Sequence, residues 1–406
     1  MRLYYFTQSY PFGIGEQWKA NELNVLVGQF DKIVVIPYSY AGNFNAPKTL
    51  PEGVELRGPL FKEDILLLKK SDVFRILFHP KSAAFLREFF SKKVYREKGA
   101  LIKWAVSTVW IIKLLRHPVI RSVVLGASKN DVLYFYWGKG SCDFLPFVDA
   151  GAFYKTFIRM HRYDLFEDVN KGYIPYREVL LRAASFIAPS SQAGKDHLDG
   201  LYPAYRDRVR VVRCGTLSNG RVSAPSSDNV LRVISCSFLS PVKRVEIMIR
   251  ALALVSVPVE WTHVGDGVLR KELEELAAAT GAASRFRFQG MMDSREVLDF
   301  YASGQFDLFV NVSSSEGVPF SIMEAFSAGI PVLATEVGGT GEIVDEAVGG
   351  LLPADVTAGI LKEKLEAFYH RPAEQKLQLR REAVSRYDRC WNAQRLAGEL
   401  SDLLKQ

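Results

Sequence analysis

Two glutamates, Glu316 and Glu324, stand eight positions apart in SSSEGVPFSIMEAFSAGIPVLATEVGG, residues 313–339. FVNVSSS, just before them, reads as the end of a buried strand. Ligands of open α/β sheets bind beyond the carboxyl ends of strands, so Glu316 and Gly317 stand where a ligand belongs. The helix that starts near Pro319 presents unpaired backbone N–H groups and a partial positive charge. That is a place for an anion, phosphate above all. Pro319 suits a first helical position, and Gly317 lets a ligand come close to the backbone. Glu324 lies about one turn inside the helix. A carboxylate accepts two hydroxyl hydrogen bonds well, as from the vicinal hydroxyls of a sugar or a ribose. Glu316, on the loop, can do the same for a second sugar. The pair suits a ligand with a phosphate centre and hydroxylated rings at both ends. A plainer reading stands beside it: Glu316 caps the helix and Glu324 is a surface acid.

The elements that must hold these residues alternate along the chain. RLYYFTQ reads as a strand, EQWKANELNVLVGQF as a helix and DKIVVIPYS as a strand. VLYFYWG, TFIRMHRYD, SFIAPSS and VRVVRCG read as four more strands. TLSNGRVSAPSSDNV, rich in Ser, Asn, Gly and Pro, reads as a linker. Beyond it LRVISCSF, VEWTHVGDG, FRFQGMM, FDLFVNVSSS and IPVLATE alternate with helical stretches. This pattern predicts two doubly wound parallel sheets. Residues 61–125 differ, mixing large apolar residues with many lysines and arginines. They read as two or three amphipathic helices. Either their basic faces lie in water, or they form an interfacial surface for anionic lipid.

The bulk numbers limit the partners. The chain has 406 residues, a formal charge of +7 and a pI of about 9.0. The length predicts two or three domains, and the charge favours anionic partners. No zinc-finger spacing or nucleic-acid signature occurs, so no nucleic acid partner is expected. Cys142, Cys214, Cys236 and Cys390 are widely spaced, form no CxxC pair and read as free thiols of a reducing compartment. MRLYYFTQSYPFGIGE lacks the apolar core of a signal peptide, and no run of about 18 apolar residues occurs. The expected location is the cytoplasm, with a peripheral place on the inner face of the membrane if residues 61–125 bind lipid.

The frame SSSEGVPFSIMEAFSAGIPVLAT, followed by VGGTGEIV, resembles the signature of family 4 glycosyltransferases, retaining enzymes of the GT-B fold. THVGDGVLRKEL and RFQGMMDSREVLDFY follow the order of the same family. The resemblance is strong over residues 230–350 and looser in the N-terminal half. It implies that Lys243, in FLSPVKRVEIMI, holds the donor diphosphate. Phe238 stands where the family usually has an arginine, and Arg244 is the cation nearest in sequence to replace it. SYPFGIGEQW resembles the family's N-terminal glycine loop, which puts Gly13 and Gly15 near the diphosphate. FIRMHRYDLFEDV resembles its histidine motif, which puts His161 near the reacting sugar, with Arg162 and Asp164 shaping the acceptor pocket. Gly265 and Met291 would lie near the donor, as would Gly317, Val318, Pro319, Phe320 and Ser321. Glu316 would orient the donor sugar and Glu324 would bind the ribose hydroxyls. The family's chemistry needs no cofactor, and neither Asp-x-Asp nor a His or Cys cluster with metal-ligand spacing occurs, so no metal is expected.

The resemblance implies two Rossmann-like doubly wound parallel-sheet domains facing across a cleft. Residues 1–215 would bind the acceptor and carry the helical insert at about 61–125. Residues 216–385 would bind the donor, and a C-terminal helix within 386–406 would cross back to the first domain. The implied activity is transfer of a sugar from a nucleotide-diphosphate sugar, UDP favoured, to a glycan or lipid-linked acceptor in surface polysaccharide biosynthesis. Two alternatives are a nucleotide-sugar 2-epimerase of related fold and a non-catalytic scaffold, the latter suggested by Phe238.

Overall fold

The apolar runs of both halves become strands buried on both faces. The computed structural model describes residues 1–12, 16, 19–39, 49–62, 68–148, 155–281 and 285–406. The chain forms two units, Met1–Arg213 with Ala397–Gln406, and Cys214–Leu396. The first holds β1 (Arg2–Thr7), β2 (Lys32–Pro37), β3 (Val54–Leu56), β4 (Val132–Phe135), β5 (Lys155–Met160) and β6 (Phe186–Pro189). Their order is β3-β2-β1-β4-β5-β6, and every pairing is parallel. Alternate residues serve opposite faces. Tyr4, Phe6, Val34 and Leu133 pack on one side, and Leu3, Tyr5, Ile33 and Val35 on the other.

The second unit repeats the plan with β7 (Leu231–Cys236), β8 (Val259–Val264), β9 (Phe286–Gly290), β10 (Leu308–Asn311), β11 (Val332–Thr335) and β12 (Gly349–Leu352). The order is β12-β11-β10-β7-β8-β9, again all parallel. In each sheet the winding reverses at the centre, between β1 and β4 and between β7 and β10. Those two gaps are the switch points at which such sheets bind ligands.

Three features depart from the sequence reading. β3 and β12 were not foreseen: one has three residues and the other begins Gly349-Gly350, so neither shows a periodic pattern. VRVVRCG is not a strand of the sheet. It touches the β6 edge through the Ile187–Val209 bridge, and the carbonyls of Val212 and Arg213 accept from Arg159 at 3.1 and 2.5 Å. The described residues of the stretch read as two or three helices hold four α-helices: Lys70–Leu77, Ser82–Ser91, Lys98–Arg116 and Pro118–Gly126. Pro80 separates the first two. Lys93, at φ +51°, lies between the second and third, and Pro118 opens the fourth behind His117, whose ring accepts from the Val119 N–H. Their inner residues, Ile76, Phe85, Trp104 and Ile111, pack with Phe147 and Tyr176.

Residues 216–230 lie against the second unit. The Ser223 N–H donates to Ala328 O at 2.9 Å, and its hydroxyl donates to Gly304 O at 2.9 Å. The terminal helix Ala393–Lys405 places Leu400 and Leu404 in the same core as Leu3, Tyr5 and Leu23 of the first unit.

Arg159 of β5 is only 1% exposed. It pairs with Glu22 of the helix Lys19–Leu26 and donates to Tyr134 Oη at 3.0 Å. Removing one partner of a buried pair strands the other charge, at a cost of about 3–5 kcal/mol. Arg159→Ala is therefore expected to lower stability by about that amount in urea unfolding, and a second change, Glu22→Leu, to restore part of it.

Candidate active site

Lys243 follows β7 and Glu316 follows β10, so the central reversal of the second sheet brings residues 73 positions apart together. Lys243 Nζ donates to Glu316 Oε1 at 2.7 Å. Asn311, the last residue of β10, donates from Nδ2 to the same oxygen at 3.1 Å and accepts the Ser313 N–H at 2.9 Å. Glu316 is 9% exposed, and Lys243 keeps more contact with water. Asn311 was not foreseen; its signal was a polar residue closing an apolar strand. A small cavity between these strand ends is lined by Ser237, Lys243, Met248, Asn311 and Ser313.

The backbone around the pair leaves little room. Gly338 has φ +56°, and a Cβ there would fall 1.8 Å from Glu316 O. The Gly339 N–H donates to Gly317 O at 2.7 Å. The two glycines after β11 thus buttress the loop that carries Glu316, a role the sequence reading did not assign. The arrangement excludes the reading of Glu316 as a helix cap, because its carboxylate bonds Lys243 and Asn311. Pro319 occupies the cap position, with φ −73° and ψ 116°, and not the first helical position expected of it. The helix runs Phe320–Ser327. Val318 and Phe320 pack against the core behind it, and Ser321 is half-buried in its first turn.

Glu324 sits inside this helix, half-buried, and no donor reaches its carboxylate among the described residues. Burial pushes its pKa from 4.5 up to about 8. Its neighbours include the Cys236 thiol and the Tyr301 hydroxyl. This is not a solvated surface acid.

Arg244 has a different use from the phosphate contact expected of it. Its Nε donates to Val312 O at 2.8 Å and its Nη2 to Ser313 O at 3.1 Å, which straps the turn after β7 to the end of β10. Phe238, 61% exposed, lies on the same turn. Gly265, at φ +130°, donates its N–H to Gly290 O at 2.8 Å, and a Cβ there would strike Ser237 O. Met291 follows Gly290 and is exposed.

In the first unit the histidine motif follows β5, one strand beyond the switch point between β1 and β4. His161 follows β5 and stacks on Tyr136, with ring centroids 5.1 Å apart. Burial first, then the Arg159 and Lys19 charges, hold its pKa well below the usual range, so the ring is neutral. A hydrogen bond ties it to the Tyr136 backbone, and its buried Nε2 has no partner. Asp164 accepts the His161 N–H at 2.6 Å and also the Gly138 N–H, so it holds the backbone here. Arg162 lies 3.8 Å from Asp168. Gly13 and Gly15 lie outside the described residues. Glu16, next to them, accepts from Ser9 N, Tyr10 N and Trp137 Nε1 at 2.7, 2.8 and 2.7 Å and pairs with Lys19. Burial alone would raise its pKa; the Lys19 charge and these hydrogen bonds hold it below the ordinary value. Trp137 lies 4.7 Å from His161, so Glu16 braces the histidine's aromatic neighbour. Glu16 was read only as the start of a helix.

A larger cavity, about 370 Å³, opens at the opposite ends of the second unit's strands, beside Leu231 and Asp307. Its charged groups are already partnered. Asp307 accepts the N–H groups of Ser226 and Arg232, each at 2.9 Å, and Arg380 donates to Phe306 O at 2.8 Å. Among the described residues, no group of three or more His, Cys, Asp or Glu is arranged to hold a metal.

Known proteins resemble this architecture. Residues 221–386 match the family model "Glycosyl transferases group 1". The putative colanic acid biosynthesis glycosyltransferase WcaL of Escherichia coli K12 is 25% identical over 249 residues, 59% of this chain and 61% of that protein. The chain thus spans less than two thirds of that relative's length. Two solved structures cover all of this chain and are wholly covered by it. One is the apo lipopolysaccharide outer core galactosyltransferase WaaB, at TM-score 0.67 and 14% identity. The other is Anabaena Alr3699/HepE in complex with UDP and glucose, at TM-score 0.66 and 19% identity. At that identity the likeness carries the fold alone: GT-B.

A carboxyl whose folded pKa lies above its unfolded one binds protons more tightly in the folded state. Glu324 therefore makes stability fall as pH rises from 4.5 to about 8. Glu324→Gln is expected to raise the melting temperature at pH 8 by about 5 °C and to have no such effect below pH 4.5. Melting curves across that range check it.

Proposed function

The chain belongs to the group 1 glycosyl transferases, and on that premise we propose that it is a retaining glycosyltransferase of surface polysaccharide biosynthesis. The donor is a nucleotide-diphosphate sugar, UDP favoured, and the acceptor a glycan or lipid-linked glycan. The observation that carries this reading is the Lys243–Glu316 pair at the switch point of the second unit, with the unpartnered Glu324 on the helix that follows. Two of the similar proteins support the context: one is titled for colanic acid biosynthesis, and the other was solved with UDP and glucose. The four cysteines are free, which fits a reducing compartment such as the cytoplasm.

We assign the donor to the second unit and the acceptor to the first. Bond cleavage at the anomeric carbon develops negative charge on the β-phosphate. Lys243 and the N–H groups of the first turn at Phe320–Ser321 would meet that charge, in the manner of preorganised donors. Both bonds to Glu316 fall on Oε1, which leaves Oε2 for a hydroxyl of the donor sugar. Glu324 would accept two ribose hydroxyls. In the first unit, the open Nε2 of His161 would accept a sugar hydroxyl. Arg244 serves as the strap that keeps Lys243 facing Glu316.

A nucleotide at about 100 times its Kd adds roughly 2.7 kcal/mol, enough to move the melting temperature by a few degrees. UDP is expected to give that shift, ahead of GDP and ADP, and Lys243→Ala to abolish it. No shift with any nucleotide would overturn the donor site. Glu316→Gln is expected to lower kcat about 100-fold while the UDP shift remains. Binding of UDP-sugar without turnover would instead support the scaffold reading, which Phe238 in place of an arginine favours.

The ribose role of Glu324 has its own signature. Hydroxyl donors bind the ionised carboxylate, so UDP affinity should rise with pH up to about 8. The phosphate titrates as well, and comparison with Glu324→Gln removes that common part. An identical pH slope in both proteins would remove the ribose assignment.

A further inference from the structure

We propose that the outer face of the helices Lys70–Leu77 and Ser82–Ser91 is a docking surface for anionic lipid. The inference rests on these helices and is independent of the reading of the donor site.

The first helix divides its side chains sharply. Asp72 and Ile76, four apart, are buried. Val73, Phe74, Leu77 and Phe78 form the opposite stripe and are 57, 65, 47 and 80% exposed. The rings of Phe74 and Phe78 stack on each other in solvent, with centroids 6.3 Å apart. A second exposed pair is Phe90, near the end of the next helix, and Tyr95, just after it, with centroids 6.5 Å apart. The core beneath is filled by Ile76, Phe85 and Val94, so these outer rings are surplus to it.

The charges are sorted the same way. Residues 69–98 hold nine basic and three acidic side chains, an excess of six in a chain whose net charge is +7. Two of the three acids are turned inward. Asp72 accepts from Lys69 N and Arg75 at 2.9 and 3.0 Å, and Glu88 accepts from Tyr173 Oη and Tyr176 N, each at 3.0 Å. Arg87, Lys93, Arg96 and Lys98 are exposed and have no acidic partner among the described residues. The outward surface is therefore aromatic, aliphatic and cationic, with Glu97 its one outward acid within residues 69–98 and Glu178 paired with Lys92 at its side. Phe and Leu side chains that enter the headgroup layer beside long basic side chains reaching for phosphate are the physical description of an interfacial helix. A second copy of this chain fits poorly. A two-fold interface would set the same cationic patch against itself.

The test is co-sedimentation of the full chain with vesicles of phosphatidylglycerol and phosphatidylcholine, against phosphatidylcholine alone. Binding is expected on the anionic vesicles. It should weaken about tenfold or more on neutral vesicles and between about 0.05 and 0.5 M salt. Phe74→Ser with Phe78→Ser should weaken it about tenfold, and Arg87→Glu with Lys93→Glu by at least as much. The second pair keeps the test valid if the first variant misfolds, and both should keep the UDP shift in melting temperature. No binding at low salt, or undiminished binding by the variants, overturns the proposal. So does a concentration-dependent dimer that the phenylalanine changes abolish, which would make this face an interface between copies.

Discussion

The Lys243–Glu316 ion pair sets the terms for the second unit. Taking a carboxylate out of water is costly, and one partner in a half-buried place does not always offset that cost. Here the geometry is secured from several sides. Asn311 adds a second hydrogen bond to the same oxygen, Arg244 ties the turn after β7 to the end of β10 through the Val312 and Ser313 carbonyls, and Gly338 lets the loop backbone sit against the turn after β11. Each support comes from a different element, so the pair exists only when the parallel sheet has formed with β7 beside β10. Packing of the sheet and placement of the charges are therefore one requirement.

Against that background the unpartnered groups carry information. Buried polar atoms are almost always bonded, because an unmade hydrogen bond in a low dielectric has a large cost. This chain meets the rule at Glu16, Asp164, Glu88 and Asp307, each of which accepts several donors. It leaves the rule at His161 Nε2, and also at Thr340 Oγ1 and Ser401 Oγ among other atoms. Glu324 is a different case: it is half-buried, and no donor among the described residues reaches its carboxylate. His161 follows β5, and Glu324 lies on the helix that follows β10. At both, burial favours the neutral form of the group.

Much of this was legible in the sequence because it depends on spacing. The eight positions from Glu316 to Glu324 require a loop and about one helical turn, and the alternating strands and helices place that loop at a sheet end. What escaped was of two kinds. Short elements such as β3 and β12 have too few residues to show a period. Long-range partners have no local mark: Asn311 looked like a strand residue, Glu16 like a helix start and Gly338 like part of a turn. VRVVRCG shows the converse, a run with strand composition whose Val212 and Arg213 carbonyls are taken by the guanidinium of Arg159.

The departure at Phe238 can be weighed in the same physical terms. An arginine there would add a second cation beside Lys243, and its fork would bind phosphate oxygens in pairs. Without it, the positive field at the strand ends comes from Lys243, already shared with Glu316, from Arg244, whose guanidinium is bound to the Val312 and Ser313 carbonyls, and from the first turn of a helix. A phosphate entering this site would have to draw Lys243 into a three-way contact with Glu316. Because Asn311 also bonds Oε1, Glu316 would keep a donor while the lysine turns. On the proposed reading of the donor site, the asparagine would thereby lower the cost of lending Lys243 to a ligand.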